Sequence, residues 1–315
     1  MISDARECMP DMATPPQAQA DEMQNVSGKE TWAKFSYPAT DNNQTPASRH
    51  DSQERKSIGT VAAQAARAQL ALIDRIHSFS TTTSLLDIAC GPGTVFTELF
   101  DSFSLPATAT LTGIDISQPM LTQLEQRRQT ALIADATSPW TRVKAYKGDA
   151  CNVDTVPSAS QSHVISALGI FAVPDSDAAL REARRVMAPG GVFSMTGFKS
   201  AVWVDDILPQ LTVLFPERRV PRSPDKWCTS EAFAAELKRN GFKDVVVEAI
   251  DVAFFFADAE RVVDEVWKAL PFMPMVTEGM SDEEKDAATR AMVEYTKTHF
   301  PDGKLTGVIN VAVGR

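Results

Sequence analysis

The sequence predicts an α/β sandwich around a mostly parallel sheet, and three observations carry that expectation. Short apolar runs alternate along the chain with segments of helical period, the rhythm of a sheet covered by helices. One of these runs, Leu85-Leu86-Asp87-Ile88, leads straight into a small-residue turn, Ala89-Cys90-Gly91-Pro92-Gly93, and then into a helix. The composition is globular: 315 residues, 43% hydrophobic and 23% charged. That is long enough to bury roughly three quarters of the unfolded surface and too apolar for a disordered or collagen-like chain.

Residues 1–55 are rich in Pro, Gln, Asn, Asp and Ser without a sustained period, and read as a flexible N-terminal arm. Within it Trp32, Phe35 and Tyr37 read either as an arm packed over a cleft or as a short helix docked on the surface. From Ile58 to Ile76 apolar residues recur at spacings of three and four, the stripe of an amphipathic helix. Strands are then expected at Leu85–Ile88, Leu111–Ile114, Val143–Tyr146, Val164–Leu168 and Gly191–Met195, with helices such as Pro119–Gln129 and Asp177–Met187 between them. The alternation pauses at about 200–228, where an apolar helix, Val204–Phe215, and the loop 216–224 read as an insertion. A helix from Ser230 stops at Asn240-Gly241. Val245–Phe256 and Val308–Val313 read as two further strands, and Ser281-Asp282-Glu283-Glu284 as the capping box of a late helix.

Lys+Arg 31 against Asp+Glu 41 gives a net charge of −10, which argues against a nucleic-acid binder. Four scattered cysteines, Cys8, Cys90, Cys151 and Cys228, make no disulfide framework and no metal-ligand spacing, so no metal is expected. No apolar run has the length of a signal peptide or a membrane span, so the expectation is a soluble, cytoplasmic protein.

The glycine turn is the most informative stretch. Gly91 and Gly93 allow backbone to approach a ligand without an intervening Cβ, and in an open parallel sheet the ligand crevice lies at the carboxyl ends of the strands. A dinucleotide fingerprint needs a third glycine at position 96, where Phe96 stands. Asp87 is a poor neighbour for a pyrophosphate and a good one for a cation. Asp115, ending the second strand, is placed to accept from both ribose hydroxyls. Gly148-Asp149-Ala150 closes the third strand with an acid suited to an adenine amino group.

These residues, with Arg185-Val186-Met187-Ala188-Pro189-Gly190-Gly191 before the fifth strand, resemble the class I S-adenosylmethionine-dependent methyltransferases. The likeness runs from about Leu72 to Gly197. It is greatest to the small-molecule branch that includes the ubiquinone-biosynthesis type and fungal natural-product enzymes. The resemblance implies a Rossmann-like three-layer sandwich with a mostly parallel seven-stranded sheet and the last strand antiparallel. It implies a methyltransferase domain over 56–315 with a substrate-cap insertion at about 200–228, and S-adenosyl-L-methionine as cofactor. It also places Asp87, Ala89, Cys90, Gly91 and Gly93 around the methionine part, Asp115 on the ribose, Ile116 and Met120 against adenine, Asp149 and Ala150 at the adenine edge, and Ala167 and Leu168 beside the sulfonium.

Methyl transfer is an in-line displacement that needs alignment and exclusion of water more than a base. No catalytic residue is identified. His50, His77 and His163 are excluded by position, and His299, whose helix could reach the pocket, is the one candidate. The acceptor wall is expected to be apolar and aromatic, from Ile170, Phe171, Phe198, Trp203 and Trp227, with Trp32 and Tyr37 from the arm. Arg218, Arg219 and Arg222 read either as attractors of an anionic substrate or as a solvated loop. The expected function is transfer to an oxygen, a carboxylate or phenol, of a small molecule of secondary metabolism. The alternatives are N- or C-methylation, or a regulatory protein that keeps the fold without turnover. A nicotinamide oxidoreductase is disfavoured because none of Tyr37, Tyr146 or Tyr295 has a Lys four residues later. A homodimer is compatible with the arm and the apolar insertion.

Overall fold

A computed structural model describes residues 29–34, 59–221, 223–270 and 272–315. Most of the arm, including Tyr37, lies outside the described residues, as do Arg222 and the side chain of Trp32. A short helix, α1 (Lys29–Lys34), precedes α2 (Gly59–Ile76). There follow β1 (Ser84–Ile88), α3 (Thr94–Ser102), β2 (Thr110–Asp115), α4 (Gln118–Ala134), β3 (Val143–Lys147), β4 (Gln161–Ser166), α5 (Ser176–Val186) and β5 (Met187–Ala201). The second half adds α6 (Gln210–Leu214), α7 (Asp225–Cys228), α8 (Ser230–Arg239), β6 (Val246–Phe255), α9 (Ala259–Ala269), α10 (Met273–Val276), α11 (Asp282–His299) and β7 (Lys304–Gly314).

The seven strands form one sheet in the order β3-β2-β1-β4-β5-β7-β6. Strands β1 to β5 pair in parallel, and β7 runs antiparallel to both β5 and β6, as expected. Each central strand is apolar on both faces. Leu85 enters one core with α2, α3 and α4, while Leu86 enters the other with α5, α7 and α8. Each such fully buried Leu, Ile or Phe contributes about 1.5–3 kcal/mol. The chain winds outward from β1 to β3 and then returns to β4 on the other side of β1. The switch point therefore falls between the carboxyl ends of β1 and β4, where a crevice opens.

Two expectations about element boundaries are corrected. β5 starts at Met187, paired with Gln161, and the Pro189-Gly190 stretch read as a preceding turn is an irregularity inside it, with Gly190 at φ +77° and a register shift opposite Gln161–His163. The segment Val204–Phe215 is not one helix: a five-residue π-type turn, Trp203–Ile207, precedes α6. Helices α9, α10 and α11 lie between β6 and β7, with α11 packed on α6 and α9. Among the described residues no helix is long and apolar enough to cross a membrane.

Candidate functional site

The site begins where β1 ends. Ala89 and Gly91 adopt left-handed backbone, φ +57° and +52°, and Gly93 at φ +80° is the N-cap of α3. Asp115, at the end of neighbouring β2, braces this loop: its Oδ2 accepts the Gly91 amide at 2.7 Å and its Oδ1 the Ser117 amide at 2.8 Å. Ser117 caps α4 by accepting the Met120 amide at 3.3 Å. One acid thus fixes two loops, and its remaining lone pairs face the cavity.

Asp87 is wholly buried, and neither carboxylate oxygen has a hydrogen-bond partner among the described residues. Burial, and then the neighbouring Asp115, push its pKa well above the usual carboxylate range. Asp115 is also raised by burial, against the lowering effect of the two amides it accepts. Asp149, at the end of the β3 segment, holds the Cys151 amide at 2.9 Å and the ammonium of Lys29 on α1 at 2.5 Å. Burial acts to raise the Asp149 pKa, but Lys29 and the Cys151 amide outweigh it and hold the group below its ordinary value. The Cys151 thiol is pushed up to about 11 by burial and by Asp149.

These groups surround one cavity of about 1040 Å³, including its open mouth, across the ends of β1, β2, β3 and β4. All of the sequence-derived cofactor candidates except Gly93 line it: Asp87, Ala89, Cys90, Gly91, Asp115, Ile116, Met120, Asp149, Ala150, Ala167 and Leu168. Gly93 stands just outside that lining, close to packed side chains. A Cβ there would lie 3.1 Å from Leu124 and 3.2 Å from Trp140, whereas one on Gly91 would meet nothing within 4 Å. Sequence reasoning missed Lys29, Ala62, Ser117, Cys151, Val173 and Pro174. Ser117 carried a signal, an N-cap serine just before Gln118-Pro119. Lys29 carried none, because only the fold brings it to Asp149.

The acceptor candidates are redistributed. Phe171 and Phe198, both half-buried, meet edge to face at 5.9 Å just past the end of β4. Trp203 is core: 3% exposed, it packs between Phe198 at 5.6 Å and Phe254 at 5.4 Å. Trp227 and Ile170 are wholly buried, Trp227 against Phe233. Arg218 does not line the cavity; it donates to the carbonyls of Val276 and Glu278, tying the insertion to α10 and the loop after it. His299 is exposed, stacks on Tyr295 at 3.9 Å and does not line the cavity. His163 lies at the opposite end of β4, buried against Phe79 and His77.

Three carboxylates against one lysine suit a cationic ligand better than a pyrophosphate, and a positive group beside the unpartnered Asp87 would stabilise its ionised form. A methyltransferase-domain family model matches residues 86–195, the stretch from β1 into β5 that builds most of this cavity. Methyltransferase ucsB of Acremonium sp is 27% identical over 264 residues, covering 82% of this chain and 91% of its own length.

The chain carries a methyltransferase domain and is an S-adenosylmethionine-dependent methyltransferase. Methyltransferase tpcH of Aspergillus fumigatus is 26% identical over 176 residues, 53% of this methyltransferase and 60% of that protein. Solved structures share the fold at low identity. A Bacillus halodurans protein aligns at 17% identity and a TM-score of 0.51 over 79% of this chain and 98% of its own. The YcgJ protein of Bacillus subtilis aligns at 14% identity and 0.50 over 78% and 97%. The residues fit the cofactor of such an enzyme: acids for its ammonium, ribose hydroxyls and adenine amino group, and open space above Gly91 for its backbone-hugging methionine part.

Proposed function

We propose that this methyltransferase alkylates an oxygen, a carboxylate or phenol, of a small apolar natural product, by a displacement driven by proximity. The observation that supports this reading is the half-buried, edge-to-face Phe171–Phe198 pair: Phe171 lies two residues beyond Gly169 of the cavity wall, and neither ring is itself part of that lining. Edge-to-face rings at a strand end suit a flat, greasy acceptor. S-adenosylmethionine, when bound, supplies an electrophilic methyl carbon on a sulfonium.

The chain's own residues then have separable roles. Asp149 and Ala150 hold the adenine edge, with Ile116 and Met120 as its apolar faces, and Asp115 accepts from the ribose. Asp87 faces the ammonium through the loop backbone. Ala167 and Leu168, on the β4 wall of the cavity, would stand beside the sulfonium and so next to the methyl group it carries. Among the described residues lining the cavity there is no histidine, which suits an acceptor already ionised, needing alignment and exclusion of water rather than a base. The segment at about 200–228 and the helices α9–α11 would form the cap on the acceptor side. The fungal origin of the two relatives supports secondary metabolism as the setting.

The test is incubation of the full-length protein with methyl-labelled S-adenosylmethionine and a panel of aromatic acids, phenols, amines and thiols. Label in methyl esters or aryl ethers is expected; label confined to nitrogen, sulfur or carbon products overturns the oxygen assignment.

A further inference from the structure

The cavity wall at the end of β4 is built from backbone that side chains seldom adopt. Leu168 sits at φ +53° and Ala89, on the β1 turn, at φ +57°, both left-handed residues that carry a Cβ. The two turns touch. A Cβ built on Gly169 would lie 2.6 Å from that of Ala89 and 2.7 Å from the Ser166 hydroxyl, so only glycine fits between them. Backbone held in this state at a cavity persists only where its surroundings over-determine it.

Two hydroxyls do so here. Thr196, wholly buried on β5, accepts the Leu168 amide on its Oγ1 at 2.8 Å. Ser166, wholly buried at the end of β4, accepts the Ile170 amide on its Oγ at 3.2 Å. Ser166 is itself held from α2, because its carbonyl accepts from Gln69 Nε2 at 3.4 Å. The amides on both sides of Gly169 are thus fixed from the strands rather than by the turn. A hydroxyl buried among apolar residues is costly unless bonded, and valine would fill the Thr196 position with the same shape. The hydroxyl is there for the turn.

We propose that Thr196 is a positioning residue for methyl transfer: together with Ser166 it locks the left-handed turn at Leu168, and so fixes the wall that aligns the methyl carbon with its acceptor. The proposal rests on the reading above, in which Ala167 and Leu168 of the β4 wall stand beside the sulfonium. Neither Thr196 nor Ser166 lines the cavity; both act through the backbone of Ala167–Ile170. Small displacements of such a wall misalign an in-line displacement.

The test uses the full-length protein as wild type, Thr196→Val, Thr196→Ser and Ser166→Ala, with two readouts: hydrogen exchange at the Leu168 amide, and calorimetric Kd for S-adenosylmethionine and S-adenosylhomocysteine separately. The second ligand lacks the methyl that the wall is held to confront. In Thr196→Val the Leu168 amide is expected to lose protection, and S-adenosylmethionine to bind about tenfold more weakly, the scale of one lost hydrogen bond. S-adenosylhomocysteine is expected to change by less than about threefold, and Thr196→Ser to restore both Kd values to within about twofold. A merely structural role would lower the binding-competent fraction for both ligands alike. An unchanged ratio of the two Kd values in Thr196→Val, or a Thr196→Ser variant as weak as the valine one, overturns the proposal. Should Thr196→Val fail to fold, Ser166→Ala is read by the same ratio, with a shift supporting the lock and an unchanged ratio overturning it. Wild type that binds neither ligand refutes the cofactor reading itself, and the proposal falls with it.

Discussion

Replacing Asp115 with alanine separates two jobs that the structure gives one side chain. Its oxygens accept the Gly91 and Ser117 amides at 2.7 and 2.8 Å, and the residue is 8% exposed. Each buried amide left unpaired costs about 1–3 kcal/mol. Water entering the opened site, and relief of a desolvated carboxylate, return part of that sum. The net loss of stability is expected to be about 2 kcal/mol, a fall in Tm of roughly 4–8 °C for a domain of this size. Binding loses more. Two ribose hydroxyls donating to a carboxylate contribute about 1.5–3 kcal/mol each, so S-adenosylmethionine is expected to bind roughly 10²- to 10⁴-fold more weakly. Differential scanning calorimetry gives the first number and titration calorimetry, well below the variant's Tm, gives the second. A folded Asp115→Ala protein whose Kd lies within about threefold of wild type would refute the ribose role. An unchanged Tm would refute the bracing role.

Further expectations follow from the same geometry. Gly91→Ala places a methyl in open cavity space, so cofactor affinity is expected to fall by about tenfold or more with a stability loss near 1 kcal/mol. Gly93→Ala, which crowds Leu124 and Trp140, is expected to cost about 2 kcal/mol of stability and less affinity; the opposite order in paired calorimetry would contradict the division of labour. Because the Asp87 pKa is raised in the free protein and a bound ammonium favours its ionised form, affinity for S-adenosylmethionine should rise with pH until that raised pKa is passed. Proton release below it is expected in titrations run in buffers of different ionisation enthalpy, and a flat profile without release would count against Asp87 as the ammonium's counter-charge. Buried His163 is held at about 4, chiefly by burial. The unfolded chain takes up that proton near pH 6.5 and the folded chain only near 4, so His163 contributes stability that is complete above 6.5 and is lost as pH falls to 4. The loss is about 3 kcal/mol. Urea unfolding of His163→Phe should show a smaller drop between pH 7 and 4.5 than wild type, and an equal drop would sink the assignment.

Much of this molecule was legible because its central strands are buried on both faces. Leu85-Leu86, Val164-Ile165 and Val192-Phe193 supply both cores at once, and such runs stand out from amphipathic helices on either side. The cofactor candidates were legible for a related reason: a ligand at strand ends is met by residues next to apolar runs, and Asp87, Asp115 and Asp149 each follow one. What was hidden was whatever the fold alone brings together. Lys29 reaches Asp149 from a separate helix, and the Thr196 hydroxyl reads in sequence as one polar residue in a strand. The helix α9 was missed although Asp258 caps it and Val262, Val263 and Val266 mark its buried face, because the strand before it ends in Phe254-Phe255-Phe256 and obscures the change of period. Trp203 and Arg218 were candidates through proximity in sequence to strand ends or to the insertion, and His299 because its helix could reach the pocket; none of the three lines the cavity.

The most direct test of the central claim is calorimetric titration of the full-length wild-type protein with S-adenosylmethionine and, separately, with NADPH. Micromolar, one-to-one binding of S-adenosylmethionine with no heat from NADPH is the expected result. Binding of NADPH in its place, or of neither ligand, would contradict the assignment of this cavity to a methyl donor.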